Sequence, residues 1–275
     1  AFVFLLVGFG TKAGIAPMHT WLPDAHSEAP SPVSAMMSGV LLAVALYAIT
    51  RWKVVVDATL GSAFSNQLLL LLGLFSLLVA AFSLVIQRNY KRMLAYSSIE
   101  HTGLIFIGLG LGPLGVFAAF LHLVCHTAAK SMLFVLSGEV LHRYHSIELE
   151  RISGMLKVMP WTGALFMGGI LAIVGLPPFG LFISEFALIR AGFATGRPGL
   201  MAAVLALLAV AFIALLRHSN RMIYGTPPQG ITMGEACKWR MAPLFVSVSV
   251  LIALGLTLPA PLELLLNQVV KVVAK

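Results

Sequence analysis

Apolar stretches long enough to cross a hydrocarbon layer follow one another along almost the whole chain. A membrane-spanning helix needs roughly 20 predominantly apolar residues. Candidates lie at 1–15, 33–51, 66–88, 92–111, 114–140, 160–194, 198–220 and 241–260. Of the 275 residues 59% are hydrophobic and only 10% charged, whereas a soluble globular chain carries about 25% charged residues. There is too little polar material here to cover a water-facing surface, so the reading is an all-α, multi-pass membrane bundle of about eight spans. The formal net charge of +8 does not indicate a nucleic-acid partner. The cations sit mostly between the apolar runs, where they set orientation.

Two of the candidates are interrupted. The stretch 160–194 is too long for one span and contains Gly175-Leu176-Pro177-Pro178-Phe179-Gly180. The first has Gly14-Ile15-Ala16-Pro17, followed by a second apolar turn through Trp21 and Leu22. A proline inside a helix removes a hydrogen bond and clashes with the preceding turn, so breaks are expected at Pro17 and at Pro177-Pro178. Unwound backbone at membrane depth survives only inside protein or beside a watery cavity. Paired broken helices point to an inverted-repeat transporter. An ionisable residue stands near each break, Lys12 before the first and Glu185 after the second.

Threading the spans in order places Arg88, Lys91, Arg92, Arg143, Arg151, Lys157, Arg217, Arg221, Lys238 and Arg240 on one face. Arg51, Lys53, Arg190, Arg197, Lys271 and Lys275 fall on the other. The positive-inside rule makes the first face cytoplasmic and the carboxyl terminus non-cytoplasmic. Residues 262–275 read as a short amphipathic segment at that surface. The chain begins at Ala1 already inside a helical pattern, which is the expectation for part of a longer protein. Cys125 and Cys237 suit neither a disulfide framework nor a thiolate cluster.

Ionisable residues within spans are costly, face the bundle interior and are functional by default. Here they are Lys12, Glu100, His101, His122, His126, Lys130 and Glu185. His122, His126 and Lys130 recur at i, i+4 and i+8, hence on one helical face, a stripe of about 12 Å at 1.5 Å per residue. Histidine titrates near neutrality and a desolvated lysine becomes switchable, so the stripe suits proton transfer. Two plainer readings stand beside it: helix–helix hydrogen bonding by histidine, and a metal held by the His-x-x-x-His pair, for which no third ligand stands at suitable spacing. Glu100 and His101 are adjacent and point about 100° apart, so at most one is expected squarely on a given interior face. A simple pairing of Glu100 with a nearby lysine is the other reading. His19, Asp24, His26 and Glu28 fall in the connection after the first break and read as surface or gate residues. Gly110-Leu111-Gly112-Pro113-Leu114-Gly115 matches a dinucleotide fingerprint by letter only. No strand precedes it and no acidic residue follows about 20 positions on, so it reads as a helix-ending turn. No Walker, haem or iron–sulfur motif is present.

The run Gly10-Thr11-Lys12-Ala13-Gly14-Ile15-Ala16-Pro17-Met18-His19-Thr20-Trp21-Leu22-Pro23-Asp24-Ala25, followed by Ala29-Pro30-Ser31-Pro32-Val33-Ser34-Ala35, resembles the signature of the antiporter-like subunits of respiratory complex I, membrane-bound hydrogenases and multisubunit sodium/proton antiporters. Lys91-Arg92-Met93-Leu94-Ala95-Tyr96-Ser97-Ser98, the segment His122 to Lys130 and Gly175-Leu176-Pro177-Pro178-Phe179 resemble three further motifs of that family. Ser98-Ile99-Glu100-His101 and Ser184-Glu185-Phe186 look most like the hydrogenase-4 component F branch, with the M-type proton-pumping component of complex I a near alternative. The resemblance implies two inverted five-helix repeats, of which 1–51 is the end of the first, 66–220 the second and 241–260 a trailing helix. It implies Lys12 as the broken-helix lysine, Lys130 as the central lysine and Glu185 as the terminal acid of a proton row. The glutamate that partners Lys12 in the family has no counterpart in this sequence, and Ala43 stands where many relatives carry a polar or basic residue. The implied function is proton translocation in the inner (plasma) membrane as one subunit of a respiratory or hydrogenase oxidoreductase complex. Its partners are then other membrane and peripheral subunits and the lipid bilayer. Redox cofactors are expected in those partner subunits and none in this chain. The alternatives are a sodium/proton antiporter subunit without a redox partner and a non-conducting scaffold.

Overall fold

The computed structural model describes residues 1–235 and 238–274; Cys237 and Lys275 lie outside the described residues, as do the side chains of Lys238 and Arg240. The described chain is helical throughout: α1 (Phe2–Ala13), α2 (Trp21–Glu28), α3 (Ser31–Met36), a π-helical turn (Met37–Leu41), α4 (Leu42–Leu60), α5 (Ser62–Val85), α6 (Tyr90–Gly110), α7 (Pro113–Tyr144), α8 (Met155–Val158), α9 (Pro160–Ile173), α10 (Gly180–Ala194), α11 (Pro198–Tyr224), α12 (Ala242–Leu256) and α13 (Ala260–Val273). Among the described residues the only strand-like pairing is an isolated bridge between Asn89 and Glu148. Four helical runs are long and apolar enough to span by themselves: Ser31–Leu60, Ser62–Val85, Pro113–Tyr144 and Pro198–Tyr224.

Both interruptions form where expected, and they share one backbone solution. α1 stops at Gly14 (φ 70°) and α9 at Gly175 (φ 68°). In each, the glycine N–H bonds back three residues (Gly14 to Thr11 O, Gly175 to Ala172 O, both 3.2 Å) and the next N–H bonds back five (Ile15 to Gly10 O, 3.0 Å; Leu176 to Leu171 O, 3.2 Å). This is the Schellman closure, which satisfies carbonyls a helix end would otherwise leave bare. The left-handed glycine therefore stops each helix, and the prolines follow it. The Ala16–Pro17 and Pro177–Pro178 peptide bonds, two residues past each glycine, are both cis. Across the first break Ser76 Oγ accepts from the Ala16 N–H at 2.8 Å, and Trp21 Nε1 donates to Thr11 O at 2.7 Å. α12 presses on the second: a Cβ at Gly255 would collide with the Pro178 carbonyl.

α6 is the axis of the bundle. It is buried along almost all of its length, with α5 and α7 as its main neighbours and α2 and α10 touching it as well. It carries Lys91, Arg92 and Glu100, too many charges for a lipid-facing span, and its protein surroundings make this tolerable. α5 reaches it closely through paired glycines: a Cβ on Gly73 would lie 2.7 Å from Gly103 O, and one on Gly103 would lie 2.7 Å from Gly73 O. Small residues that let backbones approach are a common means of packing helices in lipid. Hydroxyl pairs add cross-links between helices, with Ser38 Oγ 3.0 Å from Ser98 Oγ and Ser31 Oγ 3.3 Å from Ser137 Oγ. The fingerprint-like glycine run is a turn, with α6 ending at Gly110 and Pro113 opening α7.

The basic face is knitted by its connections. Tyr90 N–H donates to Ile147 O (3.1 Å) and Leu149 N–H to Arg88 O (2.8 Å). Arg143 Nη1 reaches Thr232 O at 2.9 Å. Glu235 accepts from the N–H groups of Trp161 (2.8 Å) and Thr162 (3.1 Å), at the positive end of the α9 dipole.

One boundary changes. The helix expected over 33–51 continues to Leu60, and Lys53 is 3% exposed and paired with Asp57 one turn on. The chain bends by 71° between α12 and α13. α13 covers most of the segment expected to be amphipathic and packs on α7 and α4, with Leu266 and Val273 buried and most of its other residues exposed. Replacing Gly103 by alanine should push α5 from α6 and cost about 1–3 kcal/mol. Gly168→Ala, where a new Cβ meets nothing within 4 Å, should leave the detergent unfolding midpoint unchanged or slightly raised. Equal midpoints for the two variants would contradict the glycine contact.

Candidate proton pathway

The stripe on α7 points inward: His122, His126 and Lys130 are all 0% exposed. Lys130 Nζ donates to Leu94 O at 2.8 Å and to Ser97 Oγ, both on α6. The ammonium thus spans the α6–α7 contact on neutral oxygens, in a region where a bare charge would be expensive.

Glu100 and His101 take different interior faces. Both are buried, at 3% and 0% exposure, because α6 has protein on every side and two directions 100° apart are both interior. Glu100 forms no ion pair among the described residues: Oε2 has no hydrogen-bond partner. His101 faces α7, with Nδ1 2.9 Å from His122 Nε2. Its ring centroid stands 5.2 Å from that of His126, whose nitrogens are both without hydrogen-bond partners. His101 therefore joins the two α7 histidines, a role that the i, i+4 spacing on α7 alone does not reveal.

Ser184 on α10 fixes the direction of this line. Its hydroxyl donates to Leu181 O at 2.8 Å and also lies 2.9 Å from His122 Nδ1. A hydroxyl has one proton, so both contacts are satisfied only if Ser184 accepts from His122 Nδ1–H. Neutral His122 then presents a lone pair at Nε2, and His101 Nδ1–H donates to it. The remaining nitrogen, His101 Nε2, is buried without a partner of full hydrogen-bond geometry, with the Ile173 backbone beside it. Three helices thus hold a hydrogen-bonded line whose polarity is set at the Ser184 end.

Glu185, the next residue on α10, sits where the second break exposes backbone. A Cβ at Gly175 would run into its carboxylate, Oε2 closest and Oε1 at 3.0 Å. Glycine is thus required there twice, for its positive φ and for this approach. Glu185 and Glu100 line one cavity of about 460 Å³ together with Phe182, Phe186 and Phe212. One ligating atom from each of His101, His122 and Glu185 lies within 4.8 Å of the others. The set does not complete the His-x-x-x-His pair: it takes His122 but not His126 from α7, and its other two members come from α6 and α10.

Lys12 stands apart from this cluster. It is exposed, and its ammonium lies 5.8 Å from the ring centroid of Trp21, across the first break. Asp24 and Glu28 are exposed, and Asp24 pairs with Arg92 at 2.6 Å. His19 is partly buried, edge-on to Tyr96. His26 is no surface residue: it is 0% exposed, stacked on Phe134 with centroids 4.6 Å apart, and both nitrogens lack partners. The hint lay in composition, since Tyr96-Ser97-Ser98-Ile99-Glu100-His101-Thr102-Gly103 has no continuous apolar face for lipid.

Broken helices in a membrane bundle, with histidine, lysine and carboxylate lodged between them, define a polytopic membrane protein with an ionisable interior. Residues 1–212 match the family model described as "NADH:quinone oxidoreductase/Mrp antiporter, TM", and the chain belongs to that family. It is 40% identical over 262 residues to the hydrogenase-4 component F homolog of Methylacidiphilum infernorum (isolate V4), covering 94% of this chain and 54% of that protein. It is 35% identical over 243 residues to an NAD(P)H-quinone oxidoreductase chain 4 of Synechococcus sp. (strain JA-2-3B'a(2-13)), covering 86% of this chain and 46% of that one. A chain of the membrane-bound sulfane sulfur reductase, an archaeal respiratory membrane complex, superposes with a TM-score of 0.88 at 29% identity over 98% of this chain and 54% of that one. The chain thus spans about half the length of the relatives it matches.

Ser184→Ala removes the acceptor that sets the His122 tautomer and leaves a buried N–H unpaired, at about 1–3 kcal/mol. It should slow proton transfer roughly tenfold or more while Ser184→Thr restores it. Nitrogen chemical shifts of labelled histidines should show His122 losing its single tautomer in the alanine variant. An unchanged spectrum and rate would remove Ser184 from the line.

Proposed function

We propose that this chain moves protons across the plasma membrane as one subunit of an oxidoreductase complex, with the electron chemistry and its cofactors residing in other subunits. The observation that carries this reading is the buried line from Ser184 through His122 to His101, set between Lys130 and Glu185 beside a broken helix. A proton arriving at His101 Nε2 makes that ring cationic. Release of its Nδ1 proton to His122 Nε2 leaves His101 neutral with the proton on Nε2 and makes His122 the cation, its Nδ1–H still bonded to Ser184 Oγ, so charge moves one station without any heavy atom leaving its helix. Return to the starting tautomers needs the rings or the hydroxyl to reorient, and this makes the line a gated step.

The groups at each side set the direction. An ionised neighbour of opposite sign holds a site charged, and its neutralisation lets the proton leave. Lys130 and Glu100 are within Coulombic reach of one another, and Glu100 and Glu185 share the cavity that can admit water. Glu185 is the terminal acid of this half, next to unwound backbone. Lys12 is the corresponding group at the first break and serves the other half-channel. Residues 1–51 form the end of one inverted repeat, 66–220 the second and 241–260 a trailing helix, with the carboxyl terminus outside the cytoplasm. Likeness to the hydrogenase-4 component F homolog supports a hydrogenase-type partner set. Sodium/proton exchange without a redox partner, and a scaffold role, are the outcomes that would displace this reading.

Lys130→Met keeps the length of the side chain and removes its charge and proton; Lys130→Arg keeps the charge but stays protonated at any working pH. Both should assemble, and both should lose at least about nine-tenths of proton uptake into vesicles, a change of about 1.4 kcal/mol or more in barrier. Normal uptake by the assembled Lys130→Met subunit would refute the central station. Uptake that depends on sodium in the absence of electron donors would favour the antiporter.

A further inference from the structure

We propose that His101, His122 and Glu185 form a binding site for a divalent transition-metal ion of the zinc class, and that the bound ion blocks the proton line. The blocking half rests on the proton reading above; the binding half does not. Two imidazoles and a carboxylate with a fourth position open is a recognised zinc donor set. The three side chains come from α6, α7 and α10, and a ligating atom of each lies within 4.8 Å of the other two. His101 Nδ1 and His122 Nε2 are 2.9 Å apart across their hydrogen bond. In a tetrahedral site with Zn–N distances of about 2.0–2.1 Å they would be about 3.3–3.4 Å apart. The rings must part by only a few tenths of an ångström, with Glu185 closing in from the cavity side.

Three further features fit an ion. Ligating histidines are usually oriented by a hydrogen bond from their other nitrogen, and His122 Nδ1 already has one, to Ser184 Oγ at 2.9 Å. His101 can free Nδ1 for the metal by carrying its proton on Nε2, which has no partner of full hydrogen-bond geometry, so neither imidazole has to give up a proton to solvent. The cavity of about 460 Å³ that Glu185 lines gives a path in and room for a water as fourth ligand. Glu100, 3% exposed with Oε2 unpartnered, lines the same cavity; an ionised Glu100 offsets Lys130, whose ammonium is bound to Leu94 O and Ser97 Oγ on α6, and Glu185 offsets half the charge of a divalent ion. Imidazole nitrogen selects zinc, cobalt, nickel and copper over magnesium and calcium, which prefer all-oxygen shells. Once seated, the ion occupies the lone pairs of both rings and the carboxylate, so neither His101 nor His122 can accept a proton at those atoms.

Cobalt(II) reports on such a site directly, because its visible d–d absorption intensifies in tetrahedral nitrogen–oxygen coordination. The complete subunit, purified with the partners it retains, is titrated with Co²⁺ and then with Zn²⁺. The expected result is one saturable Co²⁺ spectrum per chain, displaced by Zn²⁺, lost in His122→Ala and Glu185→Gln, and kept in His126→Ala. Ser184→Ala keeps all three ligands and should weaken binding by about 10–100-fold. Assembly of each variant is checked separately, so a misfolded variant is not read as a lost site. No saturable difference between wild type and His122→Ala, or equal loss in His126→Ala, overturns the site. Proton uptake into vesicles is then measured with Zn²⁺ on the accessible side and after addition of a chelator. Reversible loss of uptake supports the block. Binding with undiminished uptake leaves the metal site standing, overturns the block and places the proton route elsewhere.

Discussion

No backbone amide or carbonyl in a hydrocarbon layer can fall back on water, so each must find its partner within the protein. The chain meets this constraint twice at places where a helix stops inside the bundle. A left-handed glycine at position 14 or 175 turns the backbone so that its own N–H and the next one reach back to carbonyls of the helix just ended. With the helix end closed in this way, a break becomes a stable element. The short unwound stretch can then bring polar side chains into the apolar interior without leaving a row of bare peptide groups. At the first break Ser76 on a neighbouring helix completes the same task, and at the second α12 packs against Pro178 with no room for a side chain at Gly255.

The charged cluster depends on that closure. Gly175 lacks a side chain, so the Glu185 carboxylate can lie against the break. α10, starting immediately after it, also carries Ser184 towards α7. Ser184 then decides the tautomer of His122 and, through it, of His101. A single hydroxyl anchored on its own helix thus sets the polarity of a line running through three helices. Moving α10 by an ångström would cost the hydrogen bond as well as the carboxylate position.

α6 supplies the other half of the arrangement. A helix exposed to lipid on one side can carry buried polar groups only on the remaining arc. α6 is enclosed all round and so directs Glu100 into the cavity and His101 towards α7, while its Leu94 carbonyl and Ser97 hydroxyl hold Lys130. The Gly73–Gly103 contact with α5 closes the side away from the histidines. Packing and chemistry are therefore set by the same helix, and the charges it carries are what disqualify it as a lipid-facing span.

The solvent, the helices and the breaks were legible in the order of residues alone. Runs of apolar residues near membrane length, glycine–proline interruptions and ionisable residues at helical spacing are local signals, and local signals survive in one dimension. They also marked Lys12, His122, His126, Lys130 and Glu185 as inward-facing, since a charge in an apolar run has few other places to go; of these Lys12 is exposed. Which of these groups meet was settled by packing in three dimensions. His101 bridging two α7 histidines, Ser184 orienting His122, Glu185 completing a three-residue set and His26 stacking on Phe134 in the interior are contacts between helices. Such contacts depend on how helices are rotated about their axes and which one lies at the centre. That rotation is set by glycine pairs and hydroxyl bonds many residues apart, and no periodicity within a single helix encodes it.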